Sequence, residues 1–317
     1  SPALIGAFKS LDLLDDLKII LVGDESLIVD KITPANKNRI EIIHTEEYIK
    51  MDEDLVHAIR NKKKSSMRLA VNCVKDSKAQ ACVSAGNTGA LMSISKIILK
   101  TLEGIDRPAI CTSLPTKKNF IQMLDLGANI ECSAQNLFQF AVMGASVVES
   151  LEISKNPRVG LLNIGSEEFK GKNEIKEAAD LLNESSINYV GFVEGDEMFS
   201  GNYDVIVTDG FTGNVALKSI EGVAGVIKYF IKSEFKKNIY NKFSSLVSFP
   251  VLNGVKKKMD PRVYNGASFL GLNGIVVKSH GSADSFSYSN AIKTAYYESK
   301  NNLIDSIREY TSRELNE

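Results

Sequence analysis

The chain has no tryptophan, three histidines, four cysteines and almost no net charge, and each scarcity excludes something. Cys73, Cys82, Cys111 and Cys132 are scattered without a CxxC pair. Neither a metal site nor a disulfide framework is expected, and reduced thiols suit a cytoplasmic compartment. Thirty-eight Lys and Arg stand against thirty-nine Asp and Glu, so no basic field calls for nucleic acid as a partner. No apolar run approaches the roughly 20 residues that span a bilayer, and no signal peptide is visible. Ser1-Pro2 does not read as a natural start, so the native N-terminus is expected to lie upstream.

What remains is an ordinary globular balance, 44% hydrophobic and 24% charged over 317 residues, enough for a substantial core. Strand-like apolar runs alternate with amphipathic helical ones. Leu17 to Val22 leads to Gly23-Asp24, and Arg39 to Ile43 reads as a second strand. Ala81-Cys82-Val83 leads to Ser84 and a Gly-rich turn; Arg158 to Ile164 ends at Gly165; Tyr203 to Val207 ends at Thr208-Asp209-Gly210. Such β-turn-α alternation predicts one α/β domain over 1–317, a mostly parallel sheet between two helical layers. Ligands of such sheets bind beyond the carboxyl ends of strands, where these turns fall.

Two turns share the pattern V-[ST]-x-G-x-T-G: Val83 to Gly89 and Val207 to Gly213. Two readings are open. One is a strand-to-helix turn used twice; the other is a pair of anion-facing loops, with backbone N–H groups and Thr hydroxyls at helix N-termini. Neither turn is a Walker loop or a G-x-G-x-x-G fingerprint. The candidate anion-binding residues are Ser84, Gly86, Asn87 and Thr88 in the first turn and Asp209, Thr212 and Asn214 in the second. Asp125 and Asn129, around Gly127, and Asn163, with Lys170 shortly after it, mark two more polar glycine turns.

Segment 221–261 breaks the alternation. Val223, Val226, Ile227, Phe230 and Ile231 form a stripe at helical spacing, with lysines on other faces. The run from Phe243 to Leu252, interrupted by Pro250, precedes Lys256-Lys257-Lys258. A helix pair packed on the body or on a second subunit fits this pattern. So does a membrane-surface contact through Leu246, Val247, Phe249, Val251 and Leu252, with lysines near anionic headgroups.

No catalytic triad stands out. His280, after the strand-like Gly274 to Val277 and before a Gly-Ser turn, is expected at the same sheet edge as both Gly-Thr-Gly turns. There it could donate to phosphate or to an oxyanion, with Lys170 and Lys218 as further candidate partners of the anion. Without a protein nucleophile, the nucleophile is expected to come with the substrate, and phosphate attacking a thioester fits.

Taken together, Val83 to Leu91, Gly104 to Ala109, Asp125 to Asn129, Gln139 to Gly144, Val159 to Gly165, Val193 to Gly195, Thr208 to Lys218, Gly266 to Gly274 and Ser279 to Ser282 resemble the PlsX family of phosphate acyltransferases. The resemblance implies a three-layer α/β fold related to phosphotransacetylases and isopropylmalate-dehydrogenase-like proteins, with no metal and no organic cofactor. It implies transfer of a long-chain acyl group from acyl carrier protein to inorganic phosphate, giving acyl phosphate for phospholipid synthesis. A phosphotransacetylase acting on acyl-coenzyme A and a non-catalytic membrane scaffold are the alternatives. The implied partners are a second copy in a homodimer, the cytoplasmic face of the cell membrane, met through tips at roughly Phe243 to Leu252, and the downstream glycerol-phosphate acyltransferase. The sequence departs from the family in two places. The family opens on a strand and an Asp-Ala-Met-Gly-Gly-Asp loop, which would lie upstream of this text, and its Lys-Gly-Asn-Glu run reads Lys170-Gly171-Lys172-Asn173 here.

Overall fold

A computed structural model describes residues 1–258 and 260–315. Strands β1 (Ile19–Gly23) and β2 (Ile40–His44) form a separate parallel pair. The main sheet holds β3 (Ala81–Ser84), β4 (Ala109–Pro115), β5 (Phe120–Leu124), β6 (Val159–Leu162), β7 (Tyr189–Val193), β8 (Val205–Val207), β9 (Ala267–Leu270) and β10 (Ile275–Lys278). Their order is β3-β10-β9-β4-β5-β8-β6-β7. Pairs β3/β10, β5/β8, β8/β6 and β6/β7 are parallel, so parallel pairing predominates as expected. Pairs β10/β9, β9/β4 and β4/β5 are antiparallel.

The antiparallel junctions in the middle decide where the turns go. They reverse the second half of the sheet, so β3 and β10 point one way and β5, β8, β6 and β7 the other. Reading the first six strands of that order backwards exchanges β3 with β8, β10 with β5 and β9 with β4, with matching directions. The two halves are therefore related by an approximate two-fold axis through the sheet, and the repeated turn sits at its two equivalent places. The expectation that His280 shares one edge with both turns is corrected. His280 and Val83 to Gly89 lie at one edge; Val207 to Gly213 lies at the opposite edge, a strand length or roughly 13 Å away.

Helices α1 (Pro2–Leu13), α2 (Leu55–Asn61), α3 (Ser66–Lys75), α4 (Thr88–Leu99), α5 (Ala134–Ser150), α6 (Asn173–Glu184), α7 (Gly210–Lys236), α8 (Ile239–Val247), α9 (Phe249–Lys258), α10 (Ser285–Lys300) and α11 (Leu303–Leu315) complete the architecture. One core joins α5, α6 and α11 to the sheet, and a second joins α3, α4 and the first turns of α7 to its other face. That is the three-layer arrangement expected. α5 is buried on every side from Asn136 to Val148, as its near-continuous apolar run requires. Close approach is possible there because position 144 is glycine: a Cβ on Gly144 would stand 2.5 Å from Val205 Cγ1.

Beyond its first turns α7 leaves the body, and α7 to α9 form an exposed arm over 221–258. Within it Val226 is 53%, Phe230 61%, Leu246 73% and Phe249 63% exposed. Pro250 stands in the first turn of α9, where a missing N–H leaves no helical bond unmade. Leu252, counted among the tip residues, is half-buried rather than exposed.

Candidate active site

At the first edge, β3 delivers Ser84 and α4 begins at Thr88. Asn87 caps α4, its Oδ1 accepting from Ala90 N at 3.0 Å, while its Nδ2 donates to Met51 O at 2.8 Å. Ser84 Oγ accepts from Gly86 N at 3.2 Å. These bonds use Asn87 and Ser84 to shape the turn, and Thr88 stays exposed at the helix start. Next door, Ser279 N donates to Ser84 O at 2.9 Å, which ties the β10 turn to the β3 turn. His280 N donates to Asn265 Oδ1 at 2.9 Å, and Asn265 Nδ2 donates to Ser279 Oγ and to Ser287 O, both at 2.8 Å.

The His280 ring is oriented by Ser282. Ser282 N donates to His280 Nδ1 at 3.2 Å, and Ser282 Oγ lies 2.8 Å from the same atom. Nδ1 thus acts as an acceptor, and the neutral ring carries its proton on Nε2, which is free to donate outward. The carboxylates nearby are engaged: Arg262 binds Asp260 at 2.7 Å and Asp284 at 2.8 Å. The exposed Thr88 at the helix start and the exposed His280 ring are the side-chain donors left at this edge, an arrangement that can receive an anion.

The opposite edge differs in kind. Asp125 is fully buried and accepts from Ile110 N (2.9 Å), Ala128 N (3.1 Å), Asn129 N (2.6 Å) and Asn129 Nδ2 (3.0 Å). Burial raises its pKa even against those four donors. Asn129 also donates to Pro108 O at 2.8 Å and accepts from Gly210 N at 2.7 Å. Both residues hold the turn together and tie it to β4 and α7. Asp209 caps α7 through Thr212 N at 2.7 Å and Thr212 Oγ1 at 3.0 Å, and Lys172 Nζ lies 3.5 Å from its carboxylate. Asn214 packs beside Gly127.

A cavity of about 420 Å³ opens beside these caps, lined by Asn163, Ile164, Lys172, Asp209 and Thr212 among others. Asn163 Nδ2 donates to Lys170 O at 3.1 Å. Lys170 itself pairs with Glu167 at 2.8 Å, and that bond raises its pKa. The two Gly-Thr-Gly turns therefore occupy two clusters. Ser84, Gly86, Asn87, Thr88 and His280 form one; Asp125, Asn129, Asn163, Lys170, Asp209, Thr212 and Asn214 form the other. Lys218 joins neither. It is exposed on α7, about 12 Å along the axis from Gly210.

Asn265, Lys278, Ser282 and Lys172 complete these clusters and were not among the candidates. Their signal in the sequence was proximity to glycine turns, but only folding brings Asn265 against His280 across a gap of 15 positions. Among the described residues no group of His, Cys, Asp and Glu could hold a metal ion.

Residues 1–305 match the family described as "Fatty acid synthesis protein". The phosphate acyltransferase of Hydrogenovibrio crunogenus is 53% identical over 304 residues, covering 95% of this chain and 90% of that protein. That of Methylococcus capsulatus is 51% identical over 295 residues, 92% of this chain and 87% of the relative. Among solved structures, a phosphotransacetylase from Streptococcus pyogenes has a TM-score of 0.61 at 19% identity, covering 96% of this chain and 92% of the other. The EutD phosphotransacetylase from Staphylococcus aureus has a TM-score of 0.57 at 17% identity, with 93% and 92% covered. At such identities the likeness is one of fold, and it is the fold relation expected. The chain thus belongs to the fatty acid synthesis protein family and, within it, to the PlsX phosphate acyltransferases.

Proposed function

We propose that this chain transfers a long-chain acyl group from the thioester of acyl carrier protein to inorganic phosphate, giving acyl phosphate for phospholipid synthesis. The observation that carries this reading is the turn pair at the first edge, next to an exposed histidine whose Nδ1 accepts from Ser282 N, which leaves Nε2–H to donate. Phosphate is held at the start of α4 by Thr88 and at the β10 turn by Ser282 and His280. One phosphate oxygen attacks the thioester carbonyl carbon, and a tetrahedral oxyanion forms. His280 Nε2–H stabilises that charge. The C–S bond then breaks, and the thiolate leaves on the carrier protein and takes a proton from solvent.

The cluster at the opposite edge is proposed as the docking end for the long acyl donor. Ile164, which lines its cavity, is 79% exposed, and Phe169 and Phe211, in the two chain segments that flank it, are 75% and 62% exposed; apolar surface of that kind suits an extended chain. Two copies pair through the stripe of Val223, Val226, Ile227, Phe230 and Ile231. The tips at Leu246, Val247, Phe249 and Val251 rest on the cytoplasmic face of the membrane, with Leu252 behind them. No described helix is long and apolar enough to cross a membrane, so this contact is peripheral.

The test mixes pure protein, long-chain acyl carrier protein and phosphate and follows free carrier thiol. Thiol release that depends on phosphate is expected; its absence refutes the reading, and faster release from acyl-coenzyme A assigns a phosphotransacetylase activity instead. His280→Ala should lower turnover by about 10²-fold or more with an unchanged melt. Leu246→Glu with Phe249→Glu should weaken binding to anionic vesicles; undiminished binding would return the tip to a packing role.

A further inference from the structure

Lys278 takes no part in the scheme above, yet it ends β10 between the two turns of the first edge. It stands in register with Ser84 on β3 and Ala267 on β9. Residues two apart on a strand share a face, so its side chain starts on the side of Val276, which packs in the core with α4. Lys278 is 8% exposed. Its ammonium donates to the carbonyl oxygen of Ser279, while His280 N, in the same peptide unit, donates to Asn265 Oδ1. That peptide is clamped at both ends.

The ammonium has no carboxylate partner: among the described residues, no ion pair includes Lys278. A buried cation without an anion is among the least favourable arrangements in an interior. The titratable groups on the elements around it are His280 on its own turn, Cys82 on β3 and Lys96 on α4. On α10 they are Tyr288, Lys293, Glu298 and Lys300, with Tyr296 and Tyr297. None of them sets its pKa, which burial alone lowers to about 8. A doubly negative ligand at the mouth of the two turns would supply the missing charge.

We infer that Lys278 is the anchoring cation for the phosphate substrate, clamping the Ser279–His280 peptide and placing an uncompensated positive charge beneath the anion. The inference rests on the proposed acyl transfer only for the identity of that anion. It also explains why a charge is kept in a strand whose other members, Ile275, Val276 and Val277, are apolar and buried.

Lys278→Met retains the stem and deletes the charge. Without phosphate, the variant should melt at or above the wild-type temperature, because an unpaired buried charge is gone. A lysine with a merely structural role would give the opposite sign. Added inorganic phosphate should raise the melting temperature of the wild type and raise that of K278M less, the same shift needing about ten times the concentration or more. In the acyl-transfer assay the KM for phosphate should rise about tenfold or more, with a smaller fall in kcat. The weakening of wild-type phosphate binding between about pH 7 and pH 9 should vanish in the variant. A lower melting temperature for K278M, a phosphate response in it equal to that of the wild type, or a wild type that phosphate does not stabilise would each overturn the inference. A wild type stabilised by phosphate but releasing no thiol would leave the anchor standing and remove the acyl-transfer reading instead.

Discussion

Replacing Asp125 by asparagine separates a scaffold role from a catalytic one. Asp125 Oδ1 accepts from Ile110 N and Ala128 N, and Oδ2 accepts from Asn129 N and Nδ2, at 2.6 to 3.1 Å. Asparagine has one acceptor oxygen, so either orientation sets an NH₂ against two donors. Two bonds to a charged acceptor, at about 1.5–3 kcal/mol each, are lost. Relief of the carboxylate's burial, which already raises its pKa, offsets part of that. A net loss of about 2–4 kcal/mol follows. For a chain of this length each kcal/mol lowers the melting temperature by about 1.5 °C, so calorimetry should record a fall of about 3–6 °C. Steady-state acyl transfer measured well below the melt should retain most of its rate. An unchanged melt with activity abolished would refute the argument and make Asp125 a group that acts on substrate.

Three further outcomes are expected. Glu298 is buried and accepts from Ser268, and burial raises its pKa from 4.5 to about 7. Relative to an ordinary glutamate it favours the fold most below pH 4.5 and loses that advantage as pH rises through about 7. Glu298→Gln should therefore stabilise the protein by up to about 3 kcal/mol at pH 8 and by little at pH 4.5, measured by urea unfolding at both; an equal gain at the two values would contradict the burial argument. Gly213→Ala would place a Cβ 2.0 Å from the Asp125 carbonyl oxygen, and a loss of about 1–3 kcal/mol should appear in thermal melts; a neutral effect would mean that α7 can shift freely against β5. Burial lifts the thiols of Cys82 to about 12 and Cys132 to about 11, and raises those of Cys73 and Cys111. A disulfide reagent at pH 8 should react with the native protein far more slowly than with the unfolded chain, and rapid labelling of any of the four would refute that account.

The alternation of apolar runs and Gly-rich turns located β3, β6, β8 and β10 and the starts of α4 and α7, because strand burial and helix capping are local properties. The stripe of α7 was legible for the same reason: 3.6-residue spacing marks a face whatever that face later meets. The split of the site was not legible. Val83 to Gly89 and Val207 to Gly213 look alike locally, and nothing within either turn records the direction of its strand. Asp125 and Asn129 looked like cleft residues because short polar side chains around glycine suit both a ligand and a turn. The burial that makes them a clamp depends on Ile110, Pro108 and Gly210, which approach only in the fold.

His280 shows both sides of this. The sequence by itself determined that a histidine stands at the end of a buried strand and before a Gly-Ser turn, since hydrophobic period and turn chemistry are written residue by residue. Only the tertiary structure decided which turn it joins, that Asn265 and Ser282 orient it, and that the buried ammonium of Lys278 bonds the carbonyl of the residue before it. Those facts follow from antiparallel pairing at β10/β9, β9/β4 and β4/β5, and strand pairing is a contact between distant segments that no local pattern encodes.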